Sequence, residues 1–324
     1  MKIRFWALTA IFIFLTSVLT IFPACNSADS TKIKVVCTIF PEYDWVREIT
    51  ISNEERFELT LLGNGADMHN YQATVSDLAK ISTADLFIYV GGESDEWVEK
   101  ALANPQNKSR KEINLLSLLG NKALEEEEKE GMAEETEPDA EPETDEHVWL
   151  SIRNAQMFVS EIANTLGEID SSKKQLYQTN ATNYNKKLNT LDGWFAKEVQ
   201  SKQTSLAENE KITLLFGDRF PFRYLTNDYG LDYYAAFKGC SAESEVTVAK
   251  VPFLAEKVDE LNIKIILKIE TSTDSVAKAI KNNTTNKNQE ILTLNSMQNT
   301  TLAENQTYFS IMVENFIILT QAIQ

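Results

Sequence analysis

Residues 32–49, KIKVVCTIFPEYDWVREI, decide the fold. An unbroken apolar run ends at Pro41 and gives way to apolar residues at helical spacing, the pattern of a strand buried on both faces and followed by a helix. The alternation continues outward. RFELTLL (56–62) reads as a second strand. Thr74-Val75-Ser76-Asp77 opens a helix in which Asp77 is placed to answer a Thr74 cap. DLFIYVGG (85–92) is a third strand halted by two glycines, and SDEWVEKAL (94–102) is another helix.

The second half resumes the pattern. SIRNAQMFVSEIANTLGEI (151–169) is a helix, and Ser171 to Gln203 reads as one unusually long helix, with Leu176, Tyr184, Leu188, Leu191, Phe195 and Val199 recurring at helical spacing. Roughly 30 helical residues span about 45 Å, more than one lobe requires, so this helix is expected to be a rigid connector. Then come the strands KITLLF, LDYYAAF, KIILKI and QEILTL, alternating with helices over FPFRYLTNDYG, VPFLAEKVDEL and DSVAKAIK, and a closing helix with Tyr308, Ile311, Met312, Phe316, Leu319 and Ile323 on one face. The expected fold is α/β with two lobes, residues 33–168 and 208–324. Each is a mainly parallel sheet flanked by helices, and helix 169–207 joins them.

The N-terminus stands outside that fold. Lys2 and Arg4 precede an apolar run from Phe5 to Phe22, followed by Pro23-Ala24-Cys25. Charged, apolar and small-residue parts in that order predict a secretory signal over 1–24. A cysteine after a small residue predicts lipidation at Cys25 and a tether over 25–32, leaving the body on the extracytoplasmic face of a bacterial membrane. An uncleaved spanning helix is the alternative, because about 18 apolar residues is near the spanning minimum.

The formal charge of −17 is local in origin. Glu125 to Glu146 holds thirteen acids and one lysine, a net −12, which leaves −5 for the rest of the chain. With Pro138, Pro142 and no apolar period, 123–146 is expected to be a solvated insert. No basic groove with interleaved aromatics is present, which argues against nucleic acid as a partner. Besides Cys25 the cysteines are Cys37 and Cys240, an even pair able to form one disulfide or to remain two buried thiols.

The chain has two histidines. His69 follows the second strand, and His147 follows the acidic tract in DEHVWL. Both are loop positions near element ends, where parallel α/β sheets bind ligands. Two imidazoles completed by carboxylates suit zinc, manganese or ferrous iron. Acids just past strands of the second lobe are Asp218, Glu243, Glu245, Glu270 and Asp274.

Three stretches carry a family likeness: KVVCTIFPEYDWVREI, GADMHNYQATVSDLAKISTADLFIYVGGESDEWVEKAL and DEHVWLSIRNAQ, followed by the long helix. In order and over the chain from about Lys34, they resemble the metal-binding lipoproteins that feed zinc and manganese ABC transporters. The resemblance implies one ion in the cleft between the lobes, with the first two ligands at His69 and His147 and a late one at Glu270 or Asp274. Where the family carries a His or Glu in a stretch like F-H-D-A-F, this chain has Phe216-Gly217-Asp218-Arg219-Phe220, and Gly217 has no side chain to ligate. Asp218, Glu243 or water is then needed, with Glu243 preferred because GCSAESE resembles a cleft-lining turn.

The expected function is a monomeric solute-binding lipoprotein that captures a divalent cation, zinc first and manganese or ferrous iron next, and delivers it to a membrane permease. His69, His147, Glu243 and Glu270 are its metal ligands. An adhesin-like or structural surface lipoprotein of the same fold with weakened metal binding is the alternative suggested by Gly217. A metal-dependent hydrolase is disfavoured by the lack of HExxH and GxSxG.

Overall fold

The computed structural model describes residues 32–127, 129–130, 132, 143–208, 210–239, 250–302 and 306–324. The expected signal segment, Cys25 and the tether through residue 31 lie outside the described residues, as do Cys240, Glu243, Glu245 and most of the acidic insert.

Strand β1 (Ile33–Cys37) is apolar on both faces and lies inside a sheet, between β2 (Phe57–Leu61) and β3 (Leu86–Tyr89). Parallel neighbours require crossovers, supplied by helices α1 (Phe40–Ile49), α2 (Val75–Thr83) and α3 (Trp97–Leu102). Pro41 falls in the first turn of α1, where its missing N–H is no loss. There the Glu42 carboxylate accepts the backbone N–H groups of Thr38 (2.8 Å) and Ile39 (3.3 Å). Thr74 caps α2 as the sequence predicts: its hydroxyl accepts the Asp77 N–H at 3.2 Å, and Asp77 accepts the Thr74 N–H at 3.1 Å.

A fourth strand, β4 (Lys111–Asn114), and the short helix α4 (Leu115–Leu119) escaped the sequence reading. KEIN is brief, and its Lys111 and Glu112 are exposed on the sheet edge, as suits an edge that must not recruit another strand. The sheet order is β2-β1-β3-β4, all parallel.

Helices α5 (Ile152–Ile169) and α6 (Lys174–Gln203) follow, the second being the expected long connector of 30 residues. Its buried stripe begins at Tyr177 rather than Leu176, because the Tyr177 hydroxyl is held between Asn53 (2.8 Å) and Asp170 (3.1 Å). The second lobe comprises β5 (Thr213–Phe220), α7 (Arg223–Tyr229), β6 (Asp232–Lys238), α8 (Lys250–Glu260), β7 (Ile265–Lys268), α9 (Ser275–Asn283), β8 (Glu290–Thr293) and α10 (Tyr308–Ala322). Its sheet runs β6-β5-β7-β8, again all parallel, so both lobes share one strand order.

The lobes are joined by more than the connector. Trp45 of α1 sits between Phe158 of α5 and Tyr308 of α10, with ring centroids at 5.8 and 5.2 Å. The Trp149 indole N–H donates to the Ser296 carbonyl at 2.8 Å, and the Tyr308 hydroxyl donates to the Trp149 carbonyl at 2.7 Å. These bonds fix the loop after β8 against the segment that carries His147.

The acidic tract, expected to be a solvated loop over 123–146, keeps Glu125, Glu130, Glu143 and Thr144 exposed but is tied down at its described ends. Its ends pair with each other, Glu126 N–H to Glu143 carbonyl and Asp145 N–H to Leu124 carbonyl, both at 2.8 Å. The Tyr224 hydroxyl of α7 ties both ends to the second lobe, accepting from Leu124 N–H and donating to the Asp145 carbonyl, each at 3.0 Å. Cys37 is a free, buried thiol whose pKa is pushed up by burial. Among the described residues no helix is long and apolar enough to cross a membrane.

Candidate metal centre

His69 lies in a single turn, Met68–Asn70, just beyond β2, where Asp67 accepts its backbone N–H at 3.1 Å. His147 opens the turn Val148–Leu150, and Asp145 accepts its backbone N–H at 2.8 Å. The structure brings the two rings together: their Nε2 atoms are 3.2 Å apart. His147 is wholly buried, at 0% exposure, while His69 lines a cavity of about 1070 Å³ together with Glu93, Glu96 and Glu99.

The Nδ1 atoms are anchored. His147 Nδ1 is 3.1 Å from Asp145 Oδ1, and a carboxylate oxygen only accepts, so Nδ1 carries the proton. His69 Nδ1 is 2.8 Å from Ser94 Oγ, whose own proton is given to Glu146 in a short hydrogen bond; Nδ1 is again the donor. Glu146 also accepts the Ser94 N–H at 2.9 Å. Both Nε2 atoms therefore present lone pairs, the state a ligating imidazole needs, and the carboxylates behind them hold ring orientation as supports of metal ligands do. Burial, the neighbouring His147 and the Arg219 cation push the His69 pKa down to about 3, against the pull of Asp67, so this ring is neutral at physiological pH.

In sequence, Asp145 and Glu146 are the last acids of a run expected to be solvated. Both are buried, and burial raises the Glu146 pKa. Gly92, with φ of 83°, makes room for Glu146: a Cβ there would stand 2.3 Å from its Oε1.

The acids expected from the second lobe are found as follows. Glu270 accepts the Ser296 N–H at 2.7 Å and the Ser296 hydroxyl at 2.8 Å, so both of its oxygens are engaged by Ser296. Asp274 pairs with Lys268 (3.3 Å) and Lys278 (3.0 Å). Asp218 is buried and accepts the Ile269 N–H at 3.0 Å, which ties β5 to the end of β7. Glu243 and Cys240 lie outside the described residues. Among the described residues no three His, Cys, Asp or Glu side chains are grouped to hold an ion.

Two residues given no role by the sequence lie near the imidazoles. The Gln298 carboxamide nitrogen lies 2.8 Å from His69 Nε2 and 2.5 Å from His147 Nε2. Arg219 reaches from β5 to Asp67 (3.0 Å) and Thr271 (3.2 Å). Gly217, taken from the family likeness as the vacant ligand position, packs instead on α9; a Cβ there would be 2.6 Å from the Ala277 Cα. The pairing of β5 with β6 shifts between Phe216 and Arg219, and that irregularity separates the two directions. Gln298 follows the last strand, β8, the kind of loop in which parallel α/β sheets gather their sites, but its side chain is neutral.

The family model for ZnuA, the periplasmic component A of a zinc-uptake complex, matches residues 35–322. The zinc-binding lipoprotein AdcA of Streptococcus pneumoniae is 29% identical over 305 residues; the match takes in 92% of this chain but only 58% of that protein's length. The high-affinity zinc uptake system protein ZnuA of Bacillus subtilis is 28% identical over 92% of this chain and 90% of its own. The crystal structure of the Zn(II)-bound ZnuA-like domain of S. pneumoniae AdcA superposes with a TM-score of 0.68 at 26% identity, covering 90% of this chain and 99% of that one. A structure of the laminin-binding adhesin Lmb of Streptococcus agalactiae gives a TM-score of 0.71 at 22% identity over 90% of this chain and 100% of that one, a likeness of fold alone. With the match running through both lobes and the helix between them, this chain belongs to the ZnuA family.

Proposed function

We propose that this protein is the extracytoplasmic solute-binding component of a metal ABC transporter. It is a monomeric carrier, not an enzyme, which takes up one divalent cation, zinc first and manganese or ferrous iron next, and delivers it to a membrane permease. The secretory segment 1–24 and Cys25 fit a lipid-anchored chain.

The observation that carries the proposal is the 3.2 Å between the Nε2 atoms of His69 and His147. Two nitrogens bound to a tetrahedral zinc at about 2.0–2.1 Å stand about 3.3–3.4 Å apart, so the imidazoles are already spaced for one ion. The proposed oxygen ligands of the second lobe are Glu243 and Glu270, the latter accepting two hydrogen bonds from Ser296. Metal content after purification, followed by zinc titration, tests the reading. Wild type should bind one zinc, and His69→Ala with His147→Ala should bind none at that site; unchanged stoichiometry in the double variant removes the claim.

A further inference from the structure

Two residues are out of place in a solvated acidic tract. Among its thirteen acids, Glu125 to Glu146 holds one lysine, Lys129, and one large apolar side chain, Met132. Both are held by the second lobe. Lys129 Nζ bonds to the Asp232 carboxylate at the start of β6 and lies 4.2 Å from the centre of the Tyr233 ring. Met132 is buried, and the Lys250 ammonium at the start of α8 donates to its carbonyl. Glu127 pairs with Arg223 of α7 at 3.2 Å and accepts the Tyr233 hydroxyl at 3.3 Å.

These contacts join the two sheets edge to edge. The insert leaves the first lobe after β4, the last strand on one edge of its sheet, and reaches β6, an edge strand of the other. Its stem is a short antiparallel ladder through Glu125 and Thr144, tied to α7 by the Tyr224 hydroxyl. At the opposite edges, where the loop after β2 meets the loop after β8, Asn64 accepts the Leu302 N–H at 2.9 Å. That bond is neutral, whereas the insert side is fastened by opposite charges, which salt screens. Although partial burial works against it, the Lys129 ammonium holds the Asp232 carboxyl below its usual range.

We propose that the root of the acidic insert is an ionic clasp between the lobes: through Glu127, Lys129 and Met132 it crosses one flank of the cleft and fastens the first lobe to the edge strand of the second, loosening as salt rises. One half-exposed ion pair is worth little, but here two pairs, a cation over an aromatic ring and a buried methionine act on the same stem. The stem also carries Asp145, the acid 3.1 Å from His147 Nδ1, so the clasp bears on the mounting of that imidazole. The clasp holds whether or not the chain carries a metal ion.

The test is amide hydrogen exchange on the full chain in detergent, at about 0.05 M and about 0.5 M salt. It compares wild type, Lys129→Glu, Glu127→Gln and the charge swap Lys129→Glu with Asp232→Lys, each checked for folding by circular dichroism. The reporters are the N–H groups of Leu124 and Glu126, which bond to the Tyr224 hydroxyl and the Glu143 carbonyl. In wild type they are expected to exchange about three- to tenfold faster at the higher salt, and in Lys129→Glu to do so already at the lower. Glu127→Gln should move them the same way by less, and it decides the matter should Lys129→Glu not fold. The charge swap should restore slow exchange. Exchange that ignores salt in wild type, or that Lys129→Glu and Glu127→Gln leave unchanged, overturns the clasp. A swap that fails to restore it while Lys129→Glu is fast would rest the contact on the Tyr233 ring and overturn its ionic character.

Discussion

The Nε2 atoms of His69 and His147 lie 3.2 Å apart although 78 positions separate them in sequence. Neither imidazole could hold that place alone. His147 is set by Asp145 directly before its turn, His69 by a relay through Ser94 to Glu146, and the two acids are adjacent in sequence. One dipeptide, Asp145-Glu146, thus orients both rings.

Ser94 is the weakest point of that relay. In Ser94→Ala, His69 Nδ1 loses its acceptor and buried Glu146 loses its hydroxyl donor. Zinc affinity is expected to fall about tenfold, the usual effect of removing a support behind a ligating histidine. Thermal stability should fall by about 1–3 kcal/mol, the cost of an unmet buried polar group. Calorimetric zinc titration beside a melting curve separates the two effects, and an unchanged affinity would show that the relay does not orient His69 for binding.

Arg219 works in the opposite direction. Its charge helps depress the His69 pKa, so a cation at the imidazoles feels the same repulsion. Arg219→Met removes that charge and frees Asp67, whose carboxyl, raised by burial, is kept low by the Arg219 hydrogen bond and charge. Zinc binding is expected to tighten roughly three- to tenfold, more at low salt than at high. Titrations at two ionic strengths check it; weaker binding in the variant would mean that Arg219 organises the cleft rather than opposing the ion.

The fold was legible because β1, α5 and α6 carry their periodicity in the open, and because two histidines in a long chain stand out. What was missed has physical reasons. KEIN of β4 is a four-residue edge whose charges mask its strand character. Asp145 and Glu146 look like the end of a solvated acidic run, yet the Leu124 and Tyr224 hydrogen bonds fold that end into the protein. Charge density in sequence measures the cost of burial but not whether partners exist to offset it. Gln298 titrates nowhere and lies 151 positions from His147, and bonds such as Trp149–Ser296, invisible in sequence, help place it opposite the rings.

Buried acids in the first lobe give the protein a pH response. Burial, reinforced by the neighbouring Asp95, raises the Glu42 pKa from 4.5 to about 8, against the pull of the Thr38 and Ile39 N–H groups. Between those values the folded chain keeps a proton that the unfolded chain releases, so Glu42 makes stability fall as pH rises from about 4.5 to about 8. Asp95, raised mainly by burial to about 7, and Asp44, raised by burial to about 6, act with the same sign. Glu42→Gln mimics the protonated form and keeps an oxygen for the Thr38 and Ile39 N–H groups. Its melting temperature should match wild type near pH 4.5 and exceed it by about 2–4 °C at pH 8.5. A constant offset across that range would place the effect in packing rather than in proton linkage.

Two glycines should respond with opposite sign. Gly217 lies against the backbone of α9, where an added methyl would stand only 2.6 Å from Ala277 Cα and 3.0 Å from Ala277 N, atoms that cannot swing aside. Gly217→Ala must push α9 off β5 and is expected to cost about 1–3 kcal/mol. Gly193, within α6, has nothing within 4 Å of the same added methyl and a helical backbone, so Gly193→Ala is expected to gain about 0.5–1 kcal/mol. Chemical denaturation of both variants checks the pair. The same geometry bears on the family likeness: Gly217→His, designed to restore a third imidazole, would aim the ring at α9 and not at His69 and His147. It should lower stability at least as much as Gly217→Ala and leave zinc affinity no better than wild type. A gain in affinity would mean that β5 can shift register at its irregularity between Phe216 and Arg219 and turn position 217 toward the cleft.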